Sequence, residues 1–178
     1  CYYMQDEYEE AIAVFRYLVE EVNLDFDAGG GAGGDVANPL LREEAIDYIA
    51  IAFDERGDID EAVRFLRLVG SFDYSSVVLK RMGELREEVN DLETALTVYE
   101  LLAREYPLTI AAPDAALNRI EILESLERQE DALAAREKFV TRFGRGTDWS
   151  TKYGEVDPST VRRIDSVTIA VGLYVGDA

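Results

Sequence analysis

The stretch NDLETALTVYELLAREYP, residues 90–107, carries the pattern that decides the fold. Counting from Ala95, apolar side chains recur four residues on at Tyr99 and seven on at Leu102, which is the spacing of one face of an α-helix. A small residue on such a face lets a second helix cross closely, while the larger residues fill the space towards the next helix. The stretch therefore predicts an amphipathic helix that packs tightly against a partner.

The same pattern recurs three more times along the chain. The related stretches are DEYEEAIAVFRYLVEEV from Asp6, GDIDEAVRFLRLVG from Gly57 and RQEDALAAREKFVTRFG from Arg128. Their small residues are Ala11, Ala62 and Ala132, and with Ala95 they are spaced by 51, 33 and 37 residues. A period of about 34 residues is typical of an array of helical hairpins. The spacings of 33 and 37 residues fit such an array.

A second helical pattern precedes each of the last three stretches. These patterns are EEAIDYIAIAFDER at 43–56, SSVVLKRMGELREE at 75–88 and DAALNRIEILESLER at 114–128. Gly57 and Asn90, which readily adopt a left-handed turn, lie where the first helix must end, and Glu127 holds the equivalent place. Asn90 with Glu93 also has the spacing of a cap for the second helix. Each unit is therefore predicted to be a helical hairpin.

These residues resemble the tetratricopeptide repeat (TPR). The likeness rests on Tyr2, Ala11 and Phe15, then on Ala50, Phe53, Gly57 and Ala62, and then on Gly83, Ala95, Tyr99 and Pro107. It covers roughly residues 1–22 and 41–144, whereas Arg86, Ile120 and Arg136 depart from the usual residue types, so related helical-hairpin repeats stay open. The resemblance implies an all-α fold in which stacked antiparallel helical hairpins form a right-handed superhelix.

The chain divides into a repeat region and a carboxyl-terminal region. Residues 1–144 are predicted to hold about four hairpins, with a glycine-rich insertion at 23–38 that cannot form a helix. Residues 145–178 are predicted to be a connector followed by a helix that caps the array or opens another hairpin, although its β-branched residues suit a strand about as well. The first unit lacks most of its first helix, which predicts further chain upstream.

The composition argues against several classes of function. With 37 acidic against 18 basic residues the net charge is −19, which would repel nucleic acid, and no apolar run approaches the roughly 20 residues of a membrane-spanning helix. The chain has no histidine and one cysteine, which excludes a Ser-His-Asp triad, imidazole metal ligands and an internal disulfide. We therefore expect no catalysis, no cofactor and no direct membrane insertion.

Two motif-like patterns in the insertion fail the requirements of the sites that they resemble. GGGAGG has the glycine spacing of a nucleotide-binding loop, but neither a strong strand before it nor a helix at its third glycine is predicted. Counting a calcium loop from Asp25, position twelve is Val36, where a glutamate is required. A solvated acidic loop is the favoured interpretation.

The predicted binding surface is the inner face of the array, formed by the first helix of each hairpin. The periodicity places on it Asp47, Ile51, Asp54, Glu55, Lys80, Glu84, Glu87, Glu88, Asp114, Leu117, Glu121 and Glu124. TPR domains that bind a carboxyl terminus use a cluster of Lys, Arg and Asn there, whereas this face offers mostly acids with Lys80 alone. An acidic face favours a basic or polar segment of a protein partner, unless the acids are only a solvated surface.

The expected function is therefore a protein–protein interaction scaffold, and the alternative is a structural spacer within a large cell-envelope protein. Tyr106 and Pro107, followed by the alanine-rich AAPDAAL, resemble bacterial envelope-assembly and Tol-Pal-associated repeat proteins. That likeness favours the periplasm or cell envelope over the cytoplasm. Trp149 in the connector is expected to pin this segment to the helices, with an exposed partner anchor as the alternative.

The charge pattern also predicts adaptation to high salt. Only Lys80, Lys138 and Lys152 are lysines, and an acidic, lysine-poor surface that keeps its arginines is expected of a protein working in concentrated salt. The melting temperature should then rise between tenths molar and molar NaCl, because screening relieves repulsion among the acids. Melting curves followed by circular dichroism test this, and a flat or falling dependence on salt would rule it out.

Overall fold

The computed structural model describes residues 39–57, 59–69 and 72–176, in which every regular element is an α-helix and no strand occurs. The helices are α1 Pro39–Arg56, α2 Ile59–Val69, α3 Phe72–Glu88, α4 Leu92–Glu105, α5 Ala112–Ser125, α6 Gln129–Phe143, α7 Asp148–Tyr153 and α8 Pro158–Gly176. The all-α class is confirmed. The first predicted hairpin and the glycine-rich insertion lie outside the described residues.

Successive helices form antiparallel pairs. Residues on the two sides of each turn meet. The rings of Phe53 and Phe65 are 5.3 Å apart across α1 and α2, and Gly83 lies against the ring of Tyr99 across α3 and α4. The main contacts of each helix are with the helices one or two places along the chain, as α3 contacts α1, α4 and α5. The hairpins are therefore stacked in chain order.

The small residues that define the sequence pattern lie in the core. Ala50, Ala62, Ala95 and Ala132 are completely buried, as expected where two helices cross closely. At Gly83 a β-carbon would lie only 2.4 Å from the ring of Tyr99, so the helices approach more closely there than any side chain permits. The predicted burial of these positions is confirmed.

The first helices end in left-handed turn residues, as the sequence indicates. Gly57, Asn90 and Glu127 have φ of 70°, 59° and 58°. The prediction that Asn90 caps α4 was wrong: the cap is Asp91, whose carboxylate accepts a hydrogen bond from the Thr94 amide at 3.3 Å. Because Asn90 takes the left-handed conformation that closes α3, the next residue is the first that can face the free amides of α4.

Helix α5 ends at Ser125, three residues before the predicted boundary. The amide of Arg128 donates to the Leu123 carbonyl at 2.9 Å and the amide of Glu127 donates to the Glu124 carbonyl at 3.0 Å. This pair of bonds around a left-handed residue is the Schellman arrangement that terminates many helices. Glutamate has a β-carbon and tolerates this conformation less well than glycine.

Replacing Glu127 with glycine should therefore stabilise the protein. We expect the free energy of unfolding to rise by about 0.5–1 kcal/mol, because the steric cost of the left-handed residue exceeds the entropic cost of glycine. Urea denaturation followed by circular dichroism measures the change. The matched control is Glu137→Gly, in the exposed interior of α6, which should cost about 1 kcal/mol. Destabilisation by Glu127→Gly would refute this view of the turn.

The connector after α6 contains the short helix α7, and Trp149 fixes it in place. The indole is completely buried, and its Nε1 donates to the Thr109 carbonyl at 2.8 Å. The rings of Phe143 and Tyr153 lie 5.8 Å and 5.3 Å from it. The prediction that Trp149 pins this segment is confirmed, and the alternative of an exposed anchor was wrong.

The carboxyl-terminal β-branched segment is a helix rather than a strand. Pro158 opens α8, and Asp157 caps it by accepting hydrogen bonds from the Ser159 hydroxyl at 2.6 Å and the Thr160 amide at 3.0 Å. These bonds lower the pKa of Asp157 to about 2. Ile164, on the predicted apolar face, is completely buried, and α8 packs against α6 and α7.

Candidate functional site

The residues predicted for the inner face lie on α1, α3 and α5, the first helices of the three described hairpins. Because α1 contacts α3 and α3 contacts α5, the three rows of side chains are neighbours. Most of the set is half-buried, namely Asp47, Ile51, Asp54, Lys80, Glu84, Glu87, Asp114, Leu117 and Glu124, while Glu55, Glu88 and Glu121 are exposed. The structure thus brings these residues together on adjoining helices.

The carboxylates at the contact between α1 and α3 are bound to an arginine. Arg81 donates from Nε to Asp47 Oδ1 at 2.9 Å and from Nη1 to Glu88 Oε1 at 2.7 Å. Glu84 lies 3.8 Å from the same guanidinium and also pairs with Lys80, one helical turn away. The hydrogen bond to Glu88 and the nearby Asp47 carboxylate raise the pKa of Arg81. The predicted row of acids is therefore partly neutralised here.

A second arginine, Arg86, joins the same two helices near their carboxyl-terminal ends. The guanidinium of Arg86 binds the carboxylate of Asp54, donates to the Asp54 backbone carbonyl at 2.8 Å and lies 3.7 Å from Asp91. The side chains of Arg86 and Asp54 are only 24% and 18% exposed, so water screens this ion pair less than it would a pair on the surface. This contact gives Arg86 a partner at a position where the surrounding helical pattern is apolar.

Glu87 belongs to a polar cluster that joins α3, α4 and α5. The Tyr99 hydroxyl donates to the Glu87 carboxylate, and the Asn118 amide donates to Tyr99 Oη at 3.0 Å and to Glu87 Oε1 at 3.3 Å. Burial of the phenol raises the pKa of Tyr99 above its usual value. All three polar groups are satisfied within the cluster, which orders this part of the inner face.

Two further acids of the predicted face are bound by arginines from outside it. Glu124 pairs with Arg136 of α6, across the turn of the third hairpin. Asp114 accepts hydrogen bonds at 2.9 Å and 3.2 Å from Nη2 of Arg163, which reaches it from α8. The pair of Asp114 and Arg163 links α5 to α8, in the same way that Arg81 and Arg86 link α3 to α1.

Sequence reasoning missed these arginines, because it treated Lys80 as the lone cation of the face. The signal was present at Arg86 and Arg136, where a cation interrupts an otherwise apolar helical pattern. A long side chain at such a position buries its stem and carries its charge to a carboxylate. For Arg81 and Arg163 no local pattern marks the partner, since Asp47 and Asp114 are 34 and 49 residues away in sequence.

One acid of the predicted face remains open to a ligand. Glu121 is exposed and forms no ion pair or hydrogen bond with any residue that the structure describes. Leu117 lies one helical turn before it and is half-buried against the core. A carboxylate beside an apolar surface can bind a lysine or arginine, because the aliphatic stem and the charge are both accommodated.

Comparison of the chain with protein-family models, with curated proteins and with solved structures found no match. The described residues contain no group of three or more histidine, cysteine or carboxylate side chains placed to hold a metal ion. Among the described helices, none has the length and apolar content needed to cross a bilayer. The likeness to the tetratricopeptide repeat thus rests on the sequence residues quoted for it.

Proposed function

We propose that this chain is a TPR-like array that holds a partner protein on the inner face of a right-handed superhelix. The observation that carries the proposal is that the first helices α1, α3 and α5 contact one another in series. The bond between Asp114 and Arg163 extends the series to α8. Stacked hairpins arranged in this way present an extended concave surface, which suits a protein segment better than a small ligand.

The charge of that surface favours a basic or polar segment. Of the acids on it, Glu55, Glu88 and Glu121 are exposed, and the Glu121 side chain has no partner among the described residues. The only lysine of the face, Lys80, is already paired with Glu84. Complementary charge speeds association and suppresses acidic competitors, so a basic segment should bind in preference to a neutral or an acidic one.

Charge reversal on the inner face tests the proposal. The probes are fluorescein-labelled 12-residue peptides of basic, neutral and acidic composition, titrated by fluorescence polarisation. The wild-type chain should prefer the basic peptides, and Glu88→Lys with Glu121→Lys should weaken that binding about tenfold or more. The control pair is Glu137→Lys with Glu155→Lys, two exposed acids outside the inner face that change the net charge equally. The control should leave the affinity within about twofold of wild type.

The alternative is a structural spacer within a cell-envelope protein, and the ion pairs between first helices favour it. Asp47, Asp54 and Asp114 each bind an arginine of a neighbouring first helix or of α8, so these acids join repeats to one another. In a spacer the inner face has no ligand. Equal binding of all three peptide compositions, or equal loss in the inner-face and control variants, would favour the spacer and overturn the scaffold proposal.

A further inference from the structure

A second surface, of opposite charge, is formed by the second helices α4 and α6 together with α5. A cavity of about 320 Å³ opens where α4, α5 and α6 meet, and four cations line it: Arg104, Arg119, Lys138 and Arg142. Glu100 is the only acid among the lining residues. In a chain with twice as many acids as bases, this concentration of positive charge runs against the overall composition.

Two of the four cations are not neutralised by any described carboxylate. Lys138 is exposed and forms no ion pair with the residues that the structure describes. Arg142 donates only to the backbone carbonyl of Ala103, at 3.1 Å, and a neutral carbonyl does not cancel its charge. The two residues are one turn apart on α6, so their charged groups lie on the same side of that helix. They leave uncompensated positive charge at the edge of the cavity.

Arg119 adds positive charge to the same cavity. Its Nη2 binds Glu100 Oε1 at 2.9 Å, and its side chain is only 20% exposed. Its Nε is buried and donates to no described acceptor. Because Nε is shielded from solvent, a ligand cannot reach it, and Arg119 contributes to the cavity through its positive charge.

The floor of the cavity is apolar. It is formed by Ala103, Ala116 and Ala135 together with Phe139 and Phe143. The half-buried Ala103 and Ala116 leave room for a ligand's apolar side chain, while Ala135, Phe139 and Phe143 lie buried beneath them. A fully solvated inorganic anion would leave this surface unused. The ligand chemistry is therefore a carboxylate next to an apolar group.

The shape of the surface indicates an extended ligand. A second cavity of about 600 Å³ adjoins the first, because Glu100 and Arg104 line both. It continues across α4 to Ile59 and Asp60 at the start of α2. Asp60 and Glu100 make this second cavity less basic than the first, so the carboxylates of a ligand should bind over the first cavity. A ligand that reaches both cavities is longer than a small carboxylic acid and matches a peptide segment.

We propose that this groove, hereafter the basic groove, binds an acidic segment of a partner protein that carries an apolar side chain among its carboxylates. The carboxylates bind Lys138 and Arg142, and the apolar side chain packs on Ala103 and Ala116. This site is distinct from the inner face and has the opposite preference in charge. An array with both surfaces can hold two different segments at once.

A direct binding experiment tests the basic groove. The probe is the fluorescein-labelled peptide EDEFLEDE, titrated by fluorescence polarisation at 150 mM NaCl. We expect saturable binding that Lys138→Glu with Arg142→Glu weakens about tenfold or more. The matched control is Lys152→Glu with Arg162→Glu, since these exposed cations also donate to backbone carbonyls and the change in net charge is equal. The control should bind the probe within about twofold of wild type.

Two further peptides and one further variant separate the possible causes of EDEFLEDE binding. EDEGSEDE, without the apolar pair, should bind much more weakly than EDEFLEDE. KRKFLKRK, with reversed charge, should bind at the inner face instead, so Lys138→Glu with Arg142→Glu should not weaken its binding. Equal binding of EDEGSEDE would overturn the proposal in favour of simple anion attraction, and equal weakening by both charge-reversal pairs would do the same. The inner-face variant Glu88→Lys with Glu121→Lys should leave EDEFLEDE binding unchanged. The proposals for the inner face and for the basic groove can therefore be refuted independently.

Self-association is the remaining outcome to be distinguished, because the chain itself is acidic. Sedimentation of the wild-type chain at the concentrations of the titration shows whether a second copy occupies the groove. A monomer supports the assignment to a partner. A dimer that Lys138→Glu with Arg142→Glu dissociates would overturn it and make the groove a contact between copies.

Discussion

Replacing Trp149 with alanine is expected to lower the free energy of unfolding by about 3–5 kcal/mol. The indole of this α7 residue is completely buried, so truncation removes its contacts with Phe143 of α6 and Tyr153 of α7 and leaves a large cavity. It also leaves the Thr109 carbonyl without the indole donor. Urea denaturation followed by far-ultraviolet circular dichroism measures the loss, since the change removes the only tryptophan of the chain.

Two control variants separate packing from the hydrogen bond at Trp149. Trp149→Phe keeps much of the ring volume but cannot donate to Thr109, and it should cost about 1–3 kcal/mol. Tyr48→Ala removes an aromatic ring that is 54% exposed and should cost much less than Trp149→Ala. A loss below about 1 kcal/mol for Trp149→Ala would contradict the role of this residue in holding the carboxyl-terminal helices.

The second large effect is expected at Gly83. A β-carbon there would lie 2.4 Å from Cε1 and 2.6 Å from Cζ of Tyr99, a completely buried ring. The ring cannot move freely, because its hydroxyl is bound to Glu87 and Asn118. We expect Gly83→Ala to lower the free energy of unfolding by about 1–3 kcal/mol through overpacking, despite the better helix propensity of alanine.

Gly172 provides the matched control, because it is also a helical glycine. A β-carbon at Gly172 would meet only Val140 Cγ2, at 3.8 Å, which is an ordinary contact. Gly172→Ala should therefore stabilise the protein by up to about 1 kcal/mol. The same urea denaturation compares the two variants. If Gly83→Ala and Gly172→Ala change the free energy of unfolding in the same direction, the close approach of α3 and α4 at Gly83 is contradicted.

The long helices could be predicted from sequence because their patterns are long and regular. The buried alanines Ala62, Ala95 and Ala132 mark the second helices, and Gly57 and Asn90 mark the turns before two of them. Helix α7 could not be predicted, since six residues are too few to show a period. The cap at Asp91 was missed because the sequence does not show which of two adjacent polar residues takes the left-handed conformation.

The chemistry of the inner face was less predictable than its position. Periodicity within a helix places Asp47 and Asp54 on one side of α1, but the arginines that bind them come from a helix more than 30 residues away. Which side chains meet across two helices depends on how far each is rotated and shifted, and a pattern within one helix does not specify this. The basic groove was missed for the same reason, because Arg104, Arg119 and Lys138 come from three helices.

The central claim is that the chain is a linear array in which each hairpin is held mainly by its neighbours. Amide hydrogen exchange of the Trp149→Ala chain, read by mass spectrometry of peptides, tests it most directly. In a linear array the residues around the indole, in 106–111 and in α6 to α8, should lose protection, while α1 and α3 keep that of the wild-type chain. Equal loss of protection from α1 to α8 would show a single cooperative core and contradict the claim.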